Sequence, residues 1–317
     1  MNNKTIFISY SWKDDFIADR IGDDLEYLGF NVILDKKKMK YTDSIPAYME
    51  RIRKEDYVLI LVSDHYLKSE NCMKELVAFQ KDDRWNVLLP VILRDTKLYR
   101  LEDRIGYAKY WEERIATQEA LLRQVEPWNA ALESRKFQTI REISYNVSNF
   151  MANLVDAILA TPEELWRDHY RNLKGKIHLN GEDERDWLLK PISNKQLQQI
   201  LASHTEIHLL DLSRCNLSNK ILEFNNIDLS CANFKYSNLR NSNIINADFS
   251  GCNLQWADFT AARFRYVSFC NADLRGADFT GIKYEALKIR GGDFSYSTMD
   301  DNFRAYVISH GGIVDEN

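Results

Sequence analysis

No apolar run in this 317-residue chain approaches the roughly 20 residues that a membrane-spanning helix needs. The sequence therefore predicts no membrane partner. An excess of basic charge is missing too. The formal net charge is −5, so there is no overall positive field of the kind that drives non-specific nucleic-acid binding. The five cysteines (Cys72, Cys215, Cys231, Cys252 and Cys270) are odd in number and lack CxxC spacing, which predicts reduced thiols. The opening MNNKTIFISYSWKDD has no cationic segment followed by an apolar stretch and a cleavage site, and with the thiols this predicts a cytoplasmic location. Familiar catalytic signatures are also lacking: there is no GxxxxGK phosphate loop, GxGxxG, GxSxG elbow or HExxH. His204 and His208 have i, i+4 spacing but straddle a predicted helix-to-strand junction, so no metal site and no bound cofactor are expected. What is present, 45% hydrophobic and 28% charged residues, describes a globular chain with room for about two domains.

The first half alternates strand and helix. KTIFISY, FNVIL, YVLILV and NVLLPVIL are short apolar runs. Between them lie a helical pattern through Phe16, Ile17, Ile21, Leu25 and Leu28, stopped at Gly29, a helix over 45–54, and one from Ser69. Strands that are apolar without alternation, in βαβα order, predict a parallel sheet buried on both faces. Residues 107–126 and 137–159 read as two further helices, and TPEELWRDHYRNL as a helical linker.

From about residue 209 the pattern changes. Proline is absent after Pro191, and large apolar residues recur every five positions: Leu229, Phe234, Leu239, Ile244, Phe249, Leu254 and onward to Phe294 and Met299. Two residues before these centres the side chain is mostly small, as in Ala232, Ser237, Ser242, Ala247, Cys252 and Ala257. Asp or Asn commonly stands directly before the centre. A period of five fits neither a 3.6-residue helix nor a two-residue strand.

ADFSG, ADFTA, ADLRG and ADFTG resemble the A(D/N)Lxx motif of the pentapeptide-repeat family. The resemblance implies a right-handed quadrilateral β-solenoid with four pentads per coil. Leu229 then stacks with Phe249, Phe269 and Ile289. Open strand edges at both ends of such a stack need covers. ISNKQLQQILAS, with Ser193 at its start, reads as an N-terminal capping helix, and DDNFRAYVISHGG as the closing segment. Leu212, Leu217 and Leu222 form a first coil two residues out of register. Between Asp228 and Met299 there are seven acidic and eight basic residues, which excludes an acidic mimic of DNA. The expected domains are therefore 1–160, a linker and N-cap over 161–208, the solenoid over 209–299, and a C-terminal cap over 300–317.

Parallel sheets of this kind bind ligands beyond the carboxyl ends of their strands. Tyr10, Ser11 and Trp12 follow the first strand, Asp35 the second, and Ser63 to Asn71 the third. In SENCMKEL Ser69 is placed to cap a helix, and Cys72, Leu76 and Phe79 mark its buried stripe. Glu75 stands about 60° from the Cys72 direction, at the stripe's margin.

IFISYSWKDD, GFNVILDKKKMKYTDSI and VLILVSDHYLKSENCMKEL resemble, in order, the successive motifs of the TIR domain, which here covers about residues 1–160. The resemblance implies a flavodoxin-like parallel sheet and one of two functions. One is an NAD⁺-cleaving enzyme, and the other is an adaptor that assembles with other TIR domains. Enzymatic members carry a glutamate in the helix after the third strand, a position that Glu75 matches. Asn71 stands where the family often has Trp, and Thr42 where it often has glycine. The preferred expectation is an NAD⁺ glycohydrolase with Glu75 catalytic, NAD⁺ as substrate and no other cofactor. It would act as an anti-infection effector gated by self-association or by an activating partner. Tyr10, Ser11, Trp12, Asp35, Lys38 and Asn71 are the candidate substrate contacts. In the solenoid Tyr236, Trp256, Gly276 and Tyr296 fall in one 20-residue column, so Tyr236, Trp256 and Tyr296 are the candidate partner surface.

Overall fold

The computed structural model describes residues 4–34, 55–81, 84–94, 96–124, 126, 130–156, 160–167, 170–177, 189–192, 197, 211–225, 229 and 232–315. The chain divides into two compact units, Met1–Asp183 and Glu184–Asn317.

In the first unit β1 (Thr5–Ser9), β2 (Asn31–Leu34), β3 (Tyr57–Val62) and β4 (Leu88–Ile92) form a parallel sheet in the order β2-β1-β3-β4. Ile8 pairs with Leu34 on one side, and Ser9 with Ile60 on the other. The strand order reverses between β1 and β3, the flavodoxin-like switch point, where the carboxyl ends of two strands open a crevice. Helix α1 (Asp15–Tyr27) packs against β2. It ends as expected: Gly29 has φ +90°, Phe30 N–H donates to Leu25 O at 3.0 Å and Gly29 N–H to Glu26 O at 2.9 Å. This is the glycine-dependent double bond that satisfies the last carbonyls of a helix.

After β3 come α2 (Asp64–Lys68) and α3 (Glu70–Lys81). Ser63 caps the first by accepting from Tyr66 N–H at 2.9 Å, and Ser69 caps the second by accepting from Cys72 N–H at 3.4 Å. Helices α4 (Leu101–Leu122) and α5 (Ala131–Asp156) pack on each other, and both begin well before the expected 107 and 137. Their first turns present Leu101 and Leu132 to solvent, so no buried stripe marks those turns in the sequence.

The stretch expected to be a linker is built into the first unit. Thr161 and Glu164 form a reciprocal cap, Thr161 Oγ1 accepting from Glu164 N–H at 3.2 Å and Glu164 Oε2 from Thr161 N–H at 2.9 Å. That cap starts α6 (Pro162–Arg167), and α7 (Arg171–Lys176) follows. Leu165, Tyr170, Leu173 and Ile177 are buried, Tyr170 Oη donates to Asp24 Oδ2 at 2.9 Å, and Ile92 N–H donates to Ala160 O at 2.8 Å. Apolar side chains at these positions make the segment part of a core, where a linker would be polar. The expected 45–54 helix lies outside the described residues.

The second unit is the expected parallel β-solenoid. Asn233, Asn253, Asp273, Asp293 and Ile313 bridge in one ladder, a 20-residue coil of four pentads. Strands β7 (Ile221–Glu223), β8 (Asn243–Ile245), β9 (Arg263–Ser268) and β10 (Lys283–Lys288) form one wall; β5 (Lys190–Pro191) pairs with β6 (Cys215–Asn216). Asp211 bridges Asn233 and Ile221 pairs with Asn243, so the first coil carries the two-residue offset. Centres and small residues are buried together, with Phe249 and Phe269 stacked at 5.5 Å and Phe259 and Phe279 at 5.1 Å. Tyr284 departs from the ladder. It is partly exposed and packs on Phe303 and Tyr306 of α8 (Asp301–Ser309), which closes the C-terminal end. Asp300 caps α8 by accepting from Phe303 N–H at 2.8 Å. Of the expected N-terminal capping segment only Ile192 and Leu197 are described, both packed against the solenoid core.

Where Asp or Asn precedes a centre it commonly has a local task. Its Oδ1 accepts from the N–H two residues on, as in Asp248–Ser250 (3.0 Å), Asn253–Gln255 (3.2 Å), Asp258–Thr260 (2.9 Å) and Asp278–Thr280 (2.8 Å). That is the Asx turn. Every fifth residue from Tyr236 to Tyr296 has positive φ, including Trp256 at 59° and Ala261 at 57°.

Candidate functional site

At the switch point, Ser9 ends β1 after the apolar run Ile6, Phe7 and Ile8. Its Oγ donates to Glu75 Oε2 at 2.6 Å and lies 3.0 Å from Tyr66 Oη. Glu75, on α3, is 7% exposed, deeper than the margin position expected from helical spacing. The reason is that α3 lays this face against the end of β1. Beside it, Ser63 Oγ donates to Asp14 Oδ2 at 2.6 Å, and Cys72 Sγ lies 3.7 Å from Tyr10 O. Serine hydroxyls thus connect β1, β3 and both following helices around one buried carboxylate.

Among the expected substrate contacts, Tyr10 is 2% exposed with its hydroxyl donating to Asp15 Oδ1 at 3.0 Å. Its ring is committed to the core and is not available to stack on a ligand. Ser11 is half-buried before a short 3₁₀ turn, Trp12 is 66% exposed, and Asn71 is exposed on the first turn of α3. Asp35 and Lys38 lie outside the described residues, as do Thr42, His204 and His208. Ser9, Tyr66 and Asp14 were not singled out from sequence. The available signal was a serine closing an apolar run at the carboxyl end of a predicted parallel strand, where a buried hydroxyl requires a partner.

A cavity of about 380 Å³ between α4 and α5 is lined by Leu101, Ile105 and Met151, and a groove of about 800 Å³ by Lys68, Tyr107 and Tyr110. Neither is lined by Glu75. Among the described residues no group of three or more His, Cys, Asp or Glu is placed to hold a metal ion, and no helix is long and apolar enough to cross a membrane. Among the described residues no disulfide joins Cys72, Cys215, Cys252 and Cys270.

In the solenoid the expected aromatic column is only partly a surface. Tyr236 is 7% exposed, its ring covered by the Arg214 guanidinium at 4.2 Å and by Lys235 Nζ at 4.8 Å. The two-residue offset of the first coil brings Arg214 over it, with Arg214 N–H donating to Lys235 O at 2.9 Å. Trp256 is half-buried and Tyr296 exposed.

A parallel sheet with a carboxylate at its switch point, followed by a five-residue β-solenoid, defines a two-part protein. Residues 6–125 match the model of the TIR domain, and residues 227–265 and 252–283 match that of pentapeptide repeats. The chain thus carries a TIR domain and pentapeptide repeats in one polypeptide. Among solved structures it is similar to a pentapeptide repeat protein of the Arabidopsis thaliana thylakoid lumen, at 27% identity over 35% of this chain and 83% of that one (TM-score 0.24). It is also similar to the TIR domains of the activated Roq1 resistosome that directly recognises the pathogen effector XopQ, at 21% identity over 46% and 84% (TM-score 0.34). A pentapeptide repeat protein from Nostoc is similar at 20% identity over 40% and 99% (TM-score 0.23). No curated protein matches the chain.

Proposed function

We propose that the TIR domain is an NAD⁺ glycohydrolase and that Glu75 carries the reaction. The observation behind this is the carboxylate of Glu75, nearly buried on the helix after the third strand and held by Ser9 at the switch point of the sheet. Nicotinamide in NAD⁺ is already a cationic pyridinium, so it departs neutral when the glycosidic bond breaks, taking the bonding electrons without needing a proton. Positive charge then develops on the ribose as an oxocarbenium ion. A carboxylate beside it stabilises that charge and accepts hydrogen bonds from ribose hydroxyls, while water completes the hydrolysis. Low local dielectric strengthens the attraction. Trp12, Ser11 and Asn71, with Asp35 and Lys38, are the proposed substrate contacts. The role is an anti-infection effector in the cytoplasm.

A complete site running freely would drain NAD⁺ from its own cell, so activity is gated by self-association of TIR domains. The solenoid supplies the contact to a second copy or an activating partner, with the half-buried Trp256 and the exposed Tyr296 as its aromatics. Purified full-length protein is incubated with NAD⁺ across a dilution series, and the products are identified. Nicotinamide release per molecule should rise with concentration; a flat rate removes the gating. The second reading, a catalytically silent adaptor, is favoured by the same burial: a carboxylate satisfied by Ser9 also serves as a core polar group. It prevails if the assembled protein releases no nicotinamide.

A further inference from the structure

We infer that Ser9 and Tyr66 are positioning residues for Glu75, linked in a directed hydrogen-bond chain that fixes one carboxylate oxygen; the inference rests on reading Glu75 as the reacting carboxylate. All three side chains are buried. An ionised carboxylate only accepts hydrogen bonds, whereas serine has one proton to give. The 2.6 Å separation of Ser9 Oγ from Glu75 Oε2 falls in the short range of a hydroxyl bonded to a carboxylate. With that proton committed, the 3.0 Å contact between Ser9 Oγ and Tyr66 Oη has one direction: tyrosine donates and serine accepts. Tyr66 is itself anchored, its N–H donating at 2.9 Å to Ser63 Oγ, which donates at 2.6 Å to Asp14 Oδ2. The chain therefore runs from the N-cap of α2 through the end of β1 to α3.

Two consequences follow for the carboxylate. Its rotamer is held by a bond from a strand, the most rigid element available. It is also stabilised in the ionised form that an oxocarbenium ion needs, although burial opposes ionisation. In the proposed relay Tyr66 acts on Glu75 through Ser9, so its effect should vanish when Ser9 is gone.

The test is titration of the Glu75 side-chain carboxyl by carbon NMR in full-length protein labelled at glutamate, its signal identified by loss in Glu75→Gln. Ser9→Ala should raise the midpoint by about one pH unit or more, as expected for losing a hydrogen bond to a charged group. Tyr66→Phe should raise it less, and adding Tyr66→Phe to Ser9→Ala should change nothing further. In nicotinamide release, Ser9→Ala should lower kcat about 10- to 100-fold with KM little changed, and move the acid limb of the pH profile upward with the midpoint. An unmoved midpoint in folded Ser9→Ala, or independent additive shifts in the double variant, overturns the inference. Should even the unsubstituted protein release no nicotinamide, the glycohydrolase reading falls, while the titration still decides whether Ser9 and Tyr66 tune this carboxylate.

Discussion

The indole of Trp256 lies over Gly276, one coil further on: a methyl group at Gly276 would stand 2.5 Å from Trp256 Cε3. Gly276 also has φ +70°, a region that costs a residue with a Cβ about 1–2 kcal/mol. Gly276→Ala should therefore lose stability twice, through backbone strain and through the displaced ring. Gly281 separates the two effects, because its φ is +68° and nothing lies within 4 Å of an added methyl. Both variants should melt below the parent in thermal unfolding, with Gly276→Ala the lower. Equal losses would show that the indole moves aside at no cost.

Tyr170 and Asp24 join the segment after α5 to α1. Burial, and then the Asp24 carboxylate, push the Tyr170 phenol well above its ordinary range, so it stays a donor throughout the accessible pH range. Tyr170→Phe removes that donor from a fully buried carboxylate that also accepts from Arg20 Nε at 2.9 Å. The expected loss is about 1–3 kcal/mol in denaturant unfolding. An unchanged midpoint and slope would mean that Asp24 is satisfied without the Tyr170 hydroxyl.

How much of this was legible depends on whether a residue's task is local. The pentads were legible because Phe249, Ala247 and Asp248 each do a job fixed within five residues: fill the core, permit the turn and bond Ser250. The left-handed backbone at Tyr236, Trp256, Tyr266 and Ala261 was not, since none of these residue types prefers it; stacking of neighbouring coils imposes it. Gly29 and Ser69 announced their helix ends by chemistry of their own. Tyr10 misled because an aromatic beyond a strand end reads alike whether it meets a ligand or Asp15. Tyr170 was illegible as core because its partner Asp24 is far away in sequence, and the deep placement of Glu75 depends on how α3 meets β1.

Asp273 gives the solenoid a pH signature. Burial raises its carboxyl, but hydrogen bonds from Arg275 and Gln255 outweigh this and hold it below the ordinary value. Arg275 grips it with two bonds, Nε to Oδ1 at 2.9 Å and Nη2 to Oδ2 at 2.7 Å. A carboxylate depressed in the folded state contributes stability that is fully present above its unfolded pKa and is lost as pH falls through the folded one. For this partly exposed pair the contribution is about 0.5 kcal/mol. Arg275→Ala should lower the melting temperature slightly near neutral pH, and the difference should close as pH falls below the ordinary carboxylate range. A difference that persists in acid would assign the effect to packing of the arginine stem.

The most direct measurement compares nicotinamide release by the full-length protein and by Glu75→Gln, both assembled at high concentration with saturating NAD⁺. Glutamine keeps the length and helix preference of glutamate while removing its charge. If Glu75 carries the reaction, release should fall at least about 100-fold, as for loss of a main transition-state stabiliser, with the melting temperature of the first unit retained. Release by Glu75→Gln at the parent rate would contradict that role.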